Sequence, residues 1–175
     1  MQSKVTKEKL RQFMEELAAA AQSPGNVYLT GGATALLLGF REQTIDIDIK
    51  FDPEPAGVFE AIARLKEELE VNVELASPAD FIPAPGNWRE KSPHIATVGR
   101  LQFFHYDLAM QALAKIERGH AQDLSDTRNL LRCGRITVDE LKALFSRIEG
   151  ALIRYPAIDA GEFKRKLESF LSSER

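Results

Sequence analysis

Apolar positions recur along the chain with two periods. In residues 4–22 they fall at Leu10, Phe13, Met14, Leu17 and Ala18, the stripe of an amphipathic helix. Ser23-Pro24-Gly25-Asn26 supplies the turn chemistry that ends it. Residues 27–30 form a short apolar run and are predicted as a buried strand. Gly31-Gly32 follows, and then ATALLLGF, a short helix. Residues 45–49 alternate strictly, which predicts a strand with Ile45, Ile47 and Ile49 turned to the core. A second helix is predicted over residues 58–69, with Phe59, Ile62, Ala63 and Leu65 as its apolar set, and a second alternating strand over residues 71–75.

Residues 77–93 hold four of the eight prolines and Trp88, and read as a long irregular loop. One more strand is predicted at residues 101–106. Beyond Asp107 every pattern is helical. Asp107 caps a helix running to Arg118, Gly119-His120 breaks it, and residues 123–133 form the next helix, stopped by Gly134. Thr137 with Glu140 is a capping-box pattern, and residues 141–153 and 162–171 are amphipathic. The expected fold class is therefore α+β: a small mixed sheet flanked by helices over residues 1–106, then an all-helical C-terminal region, residues 107–175, packed on it.

Composition narrows the function classes. With 175 residues, 44% hydrophobic and 28% charged, the chain has the balance of a folded globular protein rather than a disordered one. A single cysteine, Cys133, excludes a disulfide scaffold, and an inert packed thiol is expected there. The longest apolar run, residues 33–40, is far short of the roughly 20 residues of a membrane span. The charged N-terminal segment lacks the apolar centre of a signal peptide. No membrane association and a cytoplasmic location are expected. Charge is uneven: residues 42–80 carry 11 acids against 3 bases, and residues 81–135 carry 8 bases against 5 acids.

The chemistry concentrates in VYLTGGATALLLGFREQTIDIDIK, residues 27–50. In a strand, residues i and i+2 share a face, so Asp46 and Asp48 project side by side. Two adjacent carboxylates repel unless a cation lies between them. Hard oxygen donors suit Mg²⁺ or Mn²⁺, which keeps waters and takes phosphate oxygens as further ligands. The alternative is a half-exposed strand with two solvated acids. Gly31-Gly32 is either a backbone cradle for phosphate, with Thr30 and Thr34 adding hydroxyls, or a tight strand-to-helix turn. Lys115 lies in the otherwise apolar stretch LAMQALAKI, so it binds an anion or snorkels to water. Asp123 has the ordinary use of a helix cap, and Asp126, three residues on, forms a salt bridge or joins the site. Arg41 reaches phosphate or pairs with nearby acids. Trp88 stacks on a base or pins its loop. His94, His105 and His120 have no metal-ligand spacing.

Taken together, a strand, Gly-Gly, a short helix and a strand bearing D-x-D resemble the signature of the nucleotidyltransferase superfamily, with its DNA polymerase β-like fold. Arg41, Thr44, Asp46 and Asp48 in R-x-x-T-I-D-I-D resemble the toxin-like bacterial branch related to the AbiE abortive-infection toxins. Lys115, Arg118, Gly119, Asp123 and Asp126 match the same branch. The resemblance implies a metal-dependent transfer of NMP from an NTP to an acceptor, either RNA such as a tRNA end or protein. Such an enzyme acts as the toxin of a toxin–antitoxin or phage-defence system, with a cognate antitoxin as partner. It implies Asp46, Asp48 and Glu74 as metal ligands and, with Lys115, as the catalytic set. Gly31, Gly32, Thr34, Arg41, Lys115 and Asp123 are implied at the nucleotide. Glu74 stands where Asp is commoner, and Ala33 where Ser or Thr often follows the glycines. These departures fit an alternative, a catalytically degenerate module that binds nucleotide or a partner protein.

Overall fold

The computed structural model describes residues 3–174. The N-terminal stripe becomes helix α1, Lys7–Ala20, with Leu10, Phe13, Met14, Leu17 and Ala18 buried. Thr6 caps it, its hydroxyl accepting the Lys9 N–H at 3.2 Å. The residues just ahead of α1, which the stripe placed in the helix, instead form a short strand, β1 (Val5–Thr6), antiparallel to β3 (Gln43–Thr44).

A five-stranded mixed sheet follows, made of β2 (Gly25–Thr30), β4 (Asp46–Phe51), β5 (Asn72–Leu75), β6 (His94–Val98) and β7 (Leu101–His105). Its order is β5-β4-β2-β7-β6. β2 runs antiparallel to β4 and parallel to β7, β4 runs parallel to β5, and β6 is antiparallel to β7. Helices α2 (Gly31–Leu37) and α3 (Val58–Glu68) lie between strands in sequence. Val27, Leu29, Ile47, Ile49, Val73, Leu101 and Phe103 share one buried core with the inner faces of α1 and α3. The alternate residues of each strand turn to the opposite face.

Several expectations change here. Ile45 lies outside β4 and is 69% exposed, so the core takes Ile47 and Ile49 without it. In α3 the buried set is Val58, Ala61, Ile62 and Leu65, whereas Ala63 and Phe59 are exposed. Phe59 packs edge-on against Phe51 instead. Gly25, expected in a turn, already belongs to β2, and a Cβ there would meet the Pro53 carbonyl oxygen at 2.7 Å. β6 forms between the expected loop and the last expected strand and joins β7 through Gly99-Arg100, with Gly99 at φ +56°. That positive φ is glycine's contribution to a two-residue hairpin.

The chain forms two compact units. One comprises the residues up to Ser77 together with Ser92–Tyr106; the other comprises Pro78–Lys91 together with the chain from Asp107 onward. The ends of the expected division, residues 1, 2 and 175, lie outside the described residues. In the second unit, α4 (Leu108–Arg118) is packed by α5 (Ala121–Arg132), α6 (Val138–Ile148) and α7 (Ala160–Ser173). The stretch expected to continue α6 tightens into a 3₁₀ helix, Glu149–Arg154. The capping box of α6 is formed in both directions, at 3.1 Å and 2.9 Å. Trp88 is buried in this unit with the Arg89 guanidinium 4.5 Å from its ring centre, which agrees with its anchoring reading. Cys133 is exposed, correcting the packed thiol expected there. The class is α+β, as the patterning predicts. Among the described residues no helix is long and apolar enough to cross a membrane.

Asp107 caps α4 as expected, its Oδ1 accepting the N–H groups of Ala109 at 3.0 Å and Met110 at 3.3 Å. Burial pushes its carboxyl above the usual range, with Glu140 adding to the effect, against the two backbone N–H groups and Lys91. The folded protein therefore holds this proton more tightly than the unfolded chain. That contribution is full below the ordinary carboxylate value and is lost as pH rises through the folded one. Asn keeps the cap and removes the charge. Asp107→Asn is expected to raise the urea midpoint at pH 7, with the gain vanishing below about pH 4. Asp107→Ala, which loses the cap, is expected to cost about 1 kcal/mol.

Candidate active site

Strand alternation carries one polar row out of each apolar one. With Ile47 and Ile49 in the core, Asp46 and Asp48 face the other side of β4, and both are half-buried. The register then decides their neighbours. Asp48 pairs with Thr30 on β2 and with Glu74 on β5, so Thr30, Asp48 and Glu74 form one row across three strands. Asp46 pairs with Asn72. The side-chain amide of Asn72 donates to Asp46 Oδ1 at 2.7 Å and to Glu74 Oε1 at 3.1 Å. Glu74 is exposed at the end of its row. Further along the same face, Tyr28 is stacked on Phe104 with ring centres 5.1 Å apart.

The glycine pair is not a loop ahead of the helix; both residues lie in the first turn of α2. Gly31 has φ +60°, a left-handed conformation that side chains rarely adopt, and a Cβ on it would stand 3.0 Å from Asp48 Oδ2. A side chain at position 31 would therefore crowd the Asp48 carboxylate. Gly32 has a different reason: a Cβ on it would overlap the Thr44 side chain of β3. Each glycine thus has its own neighbour, Asp48 for Gly31 and Thr44 for Gly32.

The remaining residues of the expected set divide. Thr34 is buried, and its hydroxyl donates to the Leu29 carbonyl at 3.2 Å and lies 3.1 Å from His105 Nδ1. Thr30, immediately before the turn, is the hydroxyl residue in the Asp48 row. Arg41 is half-buried between α2 and β3. Lys115 and Asp123 belong to the second unit, where they meet each other. Lys115 Nζ lies 2.8 Å from Asp126 Oδ2 and 3.5 Å from Asp123 Oδ1, and it is buried rather than snorkelling. Arg118 Nε is 3.1 Å from Asp123 Oδ2. Asp123 is not a helix cap, because α5 begins at Ala121 behind His120. The salt-bridge reading of Asp126 is the one observed. His94 and His120 are exposed, and His105 is the buried partner of Thr34.

Asn72 is the participant that sequence reading passed over. Its available signal was position: it stands two residues before Glu74 on an alternating strand, hence on the same face. Among the described residues no group of three or more His, Cys, Asp or Glu side chains is arranged to hold a metal ion. The donor set that is present still suits Mg²⁺, which is commonly held by one or two carboxylates and completed by water and phosphate oxygens.

No curated protein and no solved structure matches the chain. One family does match, over residues 8–171, a span that includes the glycine turn, the Asp46–Asp48 strand, Asn72 and Glu74. The chain belongs to that family, DUF6036, described as a nucleotidyltransferase of unknown function.

Proposed function

We propose that the protein is a metal-dependent nucleotidyltransferase that moves a nucleoside monophosphate from an NTP to an acceptor hydroxyl and releases pyrophosphate. The observation that carries this reading is the closeness of Gly31 to the Asp48 carboxylate, where a Cβ would stand 3.0 Å from Oδ2, with Thr30 and Glu74 in the same row. Membership of a nucleotidyltransferase family supports the reaction class. In this reading the triphosphate lies at the Gly31 turn, beside Thr30 and the Asp48 carboxylate. Asp46 and Asp48 would hold Mg²⁺ or Mn²⁺. The ion, when bound, neutralises phosphate charge as the pyrophosphate leaves. Glu74, exposed at the end of the row, accepts the proton of the incoming hydroxyl. The toxin-like resemblance supports RNA, such as a tRNA end, or a protein hydroxyl as acceptor, and a cognate antitoxin as partner.

The test is a thermal-shift series with each of the four common NTPs, with and without Mg²⁺ or Mn²⁺, followed by transfer of α-labelled phosphate to RNA and protein extracts. A ligand at 100 times its Kd stabilises the folded state by about 2.7 kcal/mol. A metal-dependent rise, lost in Asp46→Asn/Asp48→Asn, together with label in an acceptor, is the expected result. A rise without label in any acceptor supports the binding-module alternative instead. No rise with any metal–NTP combination overturns the nucleotide site.

A further inference from the structure

Asn72 lies on β5 directly across from Asp46, in a parallel register that also sets Glu74 beside Asp48. One NH₂ group, Asn72 Nδ2, serves two acids: Asp46 Oδ1 at 2.7 Å and Glu74 Oε1 at 3.1 Å. Two carboxylates that converge on one point repel, and each free one rotates away from the other. An amide nitrogen with its two hydrogens between them offsets that repulsion without adding charge. Its chemistry is specific. Asp at this position has no donor and adds a third negative charge. Gln is longer by a methylene, and an aliphatic residue of the same volume offers nothing to either oxygen.

A hydrogen bond to one oxygen of a ligating carboxylate fixes its orientation and leaves the other oxygen for the ion. We propose that Asn72 is a positioning residue, which holds Asp46 with Oδ2 free for the cation and tethers the exposed Glu74 at the acceptor end of the row. The inference rests on the reading of Asp46 and Asp48 as the cation seat. A neutral side chain thereby keeps two acids, Asp46 and Glu74, in one arrangement before any ion arrives.

The experiment measures Mn²⁺ affinity by electron paramagnetic resonance of the free ion, in the presence of an NTP analogue with an α,β-methylene bridge. Wild type is compared with Asn72→Leu, which keeps the branched shape and removes both donors. Asn72→Leu is expected to weaken Mn²⁺ by about 10- to 100-fold, with the unliganded melting midpoint close to wild type. A merely structural asparagine would move the midpoint and leave the ion affinity alone. If Asn72→Leu binds Mn²⁺ within twofold of wild type, the positioning role is overturned and the cation seat stands. If wild type itself takes up no Mn²⁺ with the analogue, the cation seat falls and this inference falls with it. Should Asn72→Leu fail to fold, the side-chain amide resonances of Asn72 in wild type decide. They are expected to shift in Glu74→Gln and again on adding Mg²⁺ with the analogue, and unmoved resonances overturn the role.

Discussion

Asp48→Asn is expected to lower nucleotidyl transfer by about 10²- to 10³-fold, the loss that follows removal of one preorganised electrostatic group at a reacting centre. Asp48 has the most constrained position of the acids. It stands between Thr30 and Glu74 in its row, two residues from Asp46, with its Oδ2 3.0 Å from where a Cβ on Gly31 would lie. Asn has the same shape, so the Gly31 turn and the strand register are kept, and only the charge and one acceptor oxygen are lost. A neutral amide is a much poorer partner than a carboxylate for a hard divalent cation. Stability is expected to move the other way or not at all, because Asp46, Asp48 and Glu74 are like charges on one face, and removing one relieves repulsion. Labelled-phosphate transfer and urea unfolding on the same preparation check both halves. Near-wild-type transfer by Asp48→Asn would remove Asp48 from the chemistry, and a large stability loss would make its role structural.

The second large effect is on stability. Lys115→Met is expected to destabilise the protein by about 3–5 kcal/mol, the cost of breaking a buried ion pair from one side. Asp126 is the reason. Its side chain is only 2% exposed, and the 2.8 Å contact with Lys115 Nζ is its charge partner, supplemented by the Gln122 amide at 3.3 Å. Asp123 is better placed to survive, because Arg118, half exposed, already reaches its other oxygen at 3.1 Å. Met fills the space of the lysine stem but removes the ammonium 2.8 Å from the buried Asp126 carboxylate. Replacing both partners removes the buried charge altogether, so Lys115→Met/Asp126→Leu is expected to recover most of the loss. For a domain whose total stability is about 5–15 kcal/mol, the single change is a large fraction of the whole. Urea titration of the two single variants and the double variant measures it. A cost below about 1 kcal/mol for Lys115→Met would mean that water reaches Asp126 easily.

What could be read in advance follows the range of the forces involved. Asp46 and Asp48 share a face because strand side chains alternate, and Ile47 and Ile49 choose which face is inward. Asp107, Thr137 with Glu140, and Gly119 mark helix ends through bonds within a few residues. The misreadings come where a distant segment intervenes. Ile45 continues the alternation but falls before β4, where no helix covers it. Thr34 is one turn into α2 and faces His105 and the Leu29 carbonyl, so Thr30 becomes the hydroxyl residue beside Asp48. Gly32 is explained by Thr44, twelve residues away on β3.

By itself, then, the sequence determined the α+β class, most of the helices and their caps, and the pairing of Asp46 with Asp48 on one strand face. Periodicity and capping depend on neighbours within a turn or a strand repeat, so they are written locally. Tertiary structure decided what surrounds that pair. The parallel register of β4 on β5 puts Glu74 beside Asp48 and the Asn72 amide between Asp46 and Glu74. The antiparallel register of β2 on β4 brings Thr30, and with it the Gly31 turn, against Asp48. Register is chosen by burying whole rows of apolar side chains at once, and a slip of one residue turns every polar group to the wrong face. No local segment carries that information, because the apolar rows are assembled only when separate strands close over a common core.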